Sequence, residues 1–126
     1  MRLLLDTQLA VWWQIASGKV PAAVREAVAA SEVFVSRGSL WELAIKVANR
    51  KLELDLPWFC EQIVADGFAW LDIKQAHLLA MAKIPIHDDH KDPFDRLLVA
   101  QSLTEPLILL TADAKLARYG TTIRAI

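Results

Sequence analysis

Three short, wholly apolar runs restrict what this chain can fold into: Leu3-Leu4-Leu5, Val33-Phe34-Val35 and Leu107 to Leu110. A strand with one wetted face alternates apolar and polar residues, whereas a strand covered on both faces leaves no polar position. These runs therefore predict a largely parallel sheet between two helical layers. Each run stops abruptly at polar residues, with Asp6-Thr7 after the first, Ser36-Arg37-Gly38-Ser39 after the second and Thr111-Ala112-Asp113 after the third. A buried strand that gives way to a helix cap has this pattern.

Helical patterning fills the intervals. Helices are expected from Leu9 to Ile15, broken at Ser17-Gly18, and from Pro21 to Ala30. After a turn over Ser36 to Ser39, a third runs from Leu40 to about Arg50 and is apolar nearly all round, apart from Glu42, Lys46, Asn49 and Arg50. Leu52 to Leu56 reads as a connection, Pro57 to Asp66-Gly67 as a helix, Phe68 to Ile73 as a strand and Gln75 to Lys83 as a short helix. A polar loop from Ile84 to Asp89 leads to Asp92-Pro93, an N-cap followed by a proline suited to the first helical turn. The segment after Asp113 is expected to be helical through Arg118, with a last strand from Thr122 to Ile126. The sum is an α/β domain in which right-handed crossovers bring the strand ends after Leu5, Val35 and Leu110 to one edge, where open sheets bind ligands.

With 126 residues and 55% hydrophobic content, the chain suits one compact domain over residues 1–126. The net charge of −1 provides no overall basic field, so a nucleic-acid partner would have to be held by a local patch or by metal ions. The single Cys60 excludes an internal disulfide, and no Cys/His spacing suits a structural zinc site, which points to a reducing cytoplasm. Asp6 interrupts the first apolar run too early for a signal peptide, and no run reaches membrane-spanning length; a soluble, unprocessed protein is expected.

Asp6, Glu42, Asp92, Asp95 and Asp113 all fall at the edge where ligands bind. Acids gathered in this way repel one another unless a cation is present, and an all-oxygen ligand set favours Mg2+ or Mn2+. Phosphodiester hydrolysis is the chemistry that follows from such a site. Each acid also has a plainer use. Asp6 can cap the first helix, Glu42 can complete a capping box with Ser39 or pair with Lys46, Asp92 and Asp95 can cap their own helix, and Asp113 can sit in a first turn. For Asp92 the capping role is preferred.

The ordered set Leu3-Leu4-Leu5-Asp6-Thr7, Ser39-Leu40-Trp41-Glu42-Leu43-Ala44-Ile45-Lys46, Lys51-Leu52, Asp92-Pro93-Phe94-Asp95-Arg96-Leu97-Leu98-Val99-Ala100-Gln101 and Leu110-Thr111-Ala112-Asp113 resembles the PIN-domain family, specifically VapC-type toxin ribonucleases of toxin-antitoxin pairs. The resemblance implies a PIN-like three-layer sandwich with Asp6, Glu42, Asp95 and Asp113 as metal-binding, catalytic acids. Thr7 and Ser39 would be helper hydroxyls, Thr111 a further support, and Asp92 a structural or secondary acid. It also implies a Mg2+- or Mn2+-dependent endoribonuclease that is a homodimer and is inhibited by a cognate antitoxin, meeting DNA only through that antitoxin. Two features depart from the common pattern: Gln8 stands where many relatives carry His, and Arg37-Gly38 replaces small residues. Both changes are expected to alter RNA preference without removing a metal ligand. The alternative is a catalytically inactive PIN-like module that binds an antitoxin or joins a DNA-bound repressor complex.

Gln8, Arg37, Lys46 and Arg96 are the foremost candidates for RNA contact, with Arg50, Lys91 and Lys115 behind them. His87-Asp88-Asp89-His90 reads as a solvated loop in preference to a transition-metal site, and His77 as a helix-surface residue. Trp12 and Trp13 are adjacent on a helix and point to different sides, so one of them is a candidate for a partner interface. A receiver-like phosphoacceptor fails because Ser36 and Thr111 follow the strands that would need Asp and Lys. A haloacid-dehalogenase-like phosphatase fails because Asp6-Thr7-Gln8 lacks a second Asp.

Overall fold

The computed structural model describes residues 1–89 and 91–126. The apolar runs are strands: β1 is Arg2–Leu5, β2 Glu32–Ser36, β3 Ala69–Leu71, β4 Ile108–Thr111 and β5 Ile123–Ala125. They form one sheet of order β3-β2-β1-β4-β5 with every pairing parallel. Successive side chains point to opposite faces, so each run supplies two cores at once. Leu3, Leu5, Val33, Val35 and Leu110 face one core, whereas Leu4 and Leu109 face the other.

The helices are α1 (Thr7–Ile15), α2 (Ala22–Ala29), α3 (Arg37–Ala48), α4 (Leu56–Ala65), α5 (Gln75–Met81) and α6 (Pro93–Thr104). Leu9 of α1, Val24 of α2, Leu43 of α3 and Phe59 and Ile63 of α4 cover the first core. Leu98, Val99 and Ala100 of α6, with Leu116 from a 3-10 segment over Ala114–Tyr119, cover the second. The result is the expected α/β three-layer sandwich. Among the described residues no helix is long and apolar enough to cross a membrane.

Three local expectations change. The third strand is shorter than Phe68 to Ile73, and the segment after Asp113 is 3-10 and not α-helical. The third helix begins at Arg37, so the anticipated turn is absent: Ser36 is its N-cap, and its hydroxyl accepts the Gly38 N–H at 2.9 Å. Gly38 suits this start because a Cβ there would lie 2.5 Å from Leu97 Cδ2 of α6. The missing side chain lets α3 approach α6 closely.

Candidate metal centre

The order of the strands decides where the site lies. The chain lays β1, β2 and β3 outward to one side, then returns to place β4 on the other flank of β1. This switch opens a crevice at the carboxyl ends of β1 and β4, the expected place for a ligand in an open α/β sheet. Asp6 leaves β1 there, with its backbone N–H donating to Leu110 O at 3.0 Å. One carboxylate oxygen accepts the Leu9 N–H at 2.7 Å as the α1 cap, and the other accepts the Ala112 N–H at 2.9 Å across the crevice. The Thr111 hydroxyl also bonds this carboxylate. Asp6 is buried, and its burial lifts the carboxyl pKa above the usual value; these donors oppose the shift, and the charge of Glu42 adds to it.

A cavity of about 570 Å3 opens beside Asp6, and its wall includes Glu42, Asp95 and Asp113. Four chain segments thus deliver the four expected carboxylates to one space. Asp95 occupies the first turn of α6, whose N-cap Asp92 accepts the N–H groups of Phe94 and Asp95, both at 2.9 Å. Asp92 therefore caps the helix, the role preferred for it, and does not line the cavity. Asp113 accepts the Lys115 N–H at 2.9 Å, and its own N–H donates to the Thr111 hydroxyl at 3.0 Å. Thr7 donates to Ser39 at 2.8 Å, and both residues are buried. Ser39 therefore joins α1 to α3 and does not cap α3, despite the Ser-x-x-Glu spacing to Glu42.

Glu42 has the least settled carboxylate. Its side chain is 13% exposed, and Oε2 pairs with Lys46 Nζ at 3.1 Å. Its Oε1 is buried without a hydrogen-bond partner among the described residues. A buried carboxylate oxygen with no donor is unfavourable unless something positive completes it. As the side chains stand, no three His, Cys, Asp or Glu among the described residues are drawn tightly enough to form a ready metal cage. The donor chemistry nevertheless suits a hard divalent cation: all the donors are oxygens, burial makes Asp6 harder to ionise, and Glu42 Oε1 has no hydrogen-bond partner among the described residues.

The PIN domain family profile matches residues 3–121. The chain belongs to the PIN-domain family. Solved structures agree on the fold of this PIN domain. VapBC2 from Rickettsia felis, bound to a DNA fragment from its promoter, superposes with a TM-score of 0.72 at 15% identity, covering 100% of this chain and 98% of that one. The DNA-bound VapBC of Salmonella typhimurium gives 0.67 at 16% identity, covering 100% and 97%. A toxin-antitoxin complex from Klebsiella pneumoniae gives 0.65 at 13%, covering 98% and 96%. No curated protein matches this chain in sequence.

The PIN domain places its cations unevenly. Lys46 and Gln8 line the cavity, as do Lys51, Trp12 and Leu52. Arg37 lies outside it, paired with Asp72 at 3.1 Å and stacked 4.5 Å over Trp70. Arg96, expected to contact RNA, instead donates to the carbonyls of Pro85, Ile84 and Met81 at 2.9, 3.0 and 3.2 Å, closing the end of α5 and the loop after it. Helix sharing with Asp95 suggested a role at the site, but the helix directs the two neighbours differently.

His77 is a second correction, because it is fully buried and not on the surface. Its Nδ1 accepts the Lys74 N–H at 3.0 Å, leaving Nε2 to donate to Glu105 at 2.6 Å, and that bond holds the Glu105 carboxyl below its usual pKa. In the polar loop, Asp89 makes a two-pronged pair with Arg118 at 2.8 and 3.0 Å, which lowers the Asp89 pKa to about 2. His87 packs edge-on against Tyr119, while His90 lies outside the described residues. Both α1 tryptophans are half-buried: Trp13 packs on Phe68, and Trp12 turns toward the cavity.

Proposed function

We propose that this PIN domain is a Mg2+- or Mn2+-dependent endoribonuclease, the toxin of a toxin-antitoxin pair. The observation that carries the reading is the convergence of Asp6, Glu42, Asp95 and Asp113 on one cavity, with Glu42 Oε1 buried and unsatisfied. These four carboxylates would hold the cation. When bound, such a cation lowers the pKa of a coordinated water and offsets charge on the scissile phosphate. Asp6, fixed by Leu9, Ala112 and Thr111, would be the immobile ligand. Thr7 and Ser39 keep α1 and α3 in register beneath the acids, and Asp92 fixes the first turn that presents Asp95. Gln8 and Lys46 line the wall available to RNA, with Arg37 a more distant phosphate contact. The likeness to the DNA-bound VapBC complexes supports a cognate antitoxin as partner, one that inhibits the toxin and through which it reaches DNA, and the same reading takes the protein as a cytoplasmic homodimer.

The test is cleavage of mixed RNA by antitoxin-free protein in Mg2+ or Mn2+. Chelator and Asp95→Asn are each expected to reduce cutting by a factor on the order of 100 or more, since each removes charge placed at the reacting phosphate. A protein inert on several RNAs in both metals, yet still able to bind a partner, would favour a binding module over an enzyme. Cutting that persists in Asp95→Asn would return Asp95 to a capping role.

A further inference from the structure

Lys46 and Glu42 lie four residues apart on α3, a spacing at which exposed ion pairs are ordinary and weak. This pair is lopsided. The Lys46 side chain is 48% exposed, whereas its partner is 13% exposed and directed into the acidic cavity. The ammonium reaches in from solvent to one carboxylate oxygen and leaves the other unsatisfied. A divalent cation drawn to Oε1 would compete with the ammonium on Oε2, because both draw on the single negative charge that the two oxygens share.

We propose that Lys46 is a resident counter-ion: in the metal-free protein it neutralises Glu42, its hold on that carboxylate loosens when a divalent cation enters, and its freed ammonium then contacts the substrate phosphodiester. The inference rests on the metal-dependent nuclease reading and adds an order of events to it. Lys46 is a positioning residue before metal enters and a phosphate contact afterwards.

Calorimetric titration of Mn2+ into wild type, Lys46→Met and Lys51→Met tests the first half. Lys51 lines the same cavity but is not the cation paired with Glu42, so it controls for general loss of positive charge. Lys46→Met is expected to bind Mn2+ on the order of two- to fivefold more tightly, the range of a modest ion-pair competition. Lys51→Met should change affinity by less than about twofold, because a charge outside the pair acts only through a screened field. Equal effects in the two variants, or weaker binding in Lys46→Met, would overturn the counter-ion role.

The second half is read from RNA affinity against salt with Ca2+ as the cation. Wild type should show a slope steeper by about 0.7 than Lys46→Met, as expected for one additional phosphate contact on a single strand. Equal slopes would remove the phosphate contact. Wild type that binds no Mn2+ at all would instead sink the metal-nuclease reading, an outcome distinct from both.

Discussion

Asp6 is more costly to ionise in the fold than in the unfolded chain, and this sets the sign of its pH dependence. Its raised folded pKa means that its contribution to stability is complete below the ordinary carboxylate range and is lost as pH rises through the folded value. Metal-free wild type, compared with Asp6→Asn in urea melts from about pH 4 to about pH 7.5, should lose stability toward neutral pH, while saturating Mn2+ reverses that trend. A pH-independent difference would contradict the assignment. Glu105 and Asp89 have lowered values and contribute in the opposite direction, losing stability as pH falls, which is why the comparison with Asp6→Asn is required. Arg96→Met removes three hydrogen bonds to carbonyls and should cost about 1–3 kcal/mol in denaturant melts, with faster amide exchange between residues 84 and 89. Strand-end and helix-cap patterns brought five acids to one edge, and the PIN resemblance singled out the four that line the cavity. Arg96 and His77 were not, because their partners lie at other points of the chain that local patterning cannot bring together.

The spacing between α3 and α6 controls the separation of Glu42 from Asp95, one on each helix, and Gly38 sets it. Gly38→Ala forces a methyl group against Leu97, which is itself 2% exposed and has little room to yield. Overpacking of about 1–3 kcal/mol outweighs the gain of up to about 1 kcal/mol that alanine brings to a helix, so the variant should melt earlier. RNA cleavage should fall further than stability alone explains, because the two acids are displaced relative to each other. Gly18→Ala, where a Cβ meets nothing within 4 Å, is the neutral control. The start of α3 was misread for a physical reason. Ser39 and Glu42 carry the spacing of a capping box, but Thr7 on α1 holds the Ser39 hydroxyl and Ser36 caps the helix in its place. A tertiary hydrogen bond overrode a valid local signal.

A fold whose acids come from separated strands and helices should gain stability from any ion that joins them. Mn2+ at about 100 times its dissociation constant adds about 2.7 kcal/mol, which for a domain of this size raises the melting temperature by roughly 5–15 °C. Thermal scans should show that shift in wild type and its loss in Asp95→Asn; equal shifts would place the ion elsewhere. The alternation of strands and helices was legible throughout, since doubly covered strands leave no polar position. The strand order was not, because hydrophobic runs do not state which neighbour they pair with. That order also governs timing. The carboxylate of Asp6 accepts a hydrogen bond from an N–H 106 positions later, and β1 stays open on one flank until β4 arrives. A growing chain therefore carries an unassembled centre until residue 113 has been added and folded into place beside Asp6.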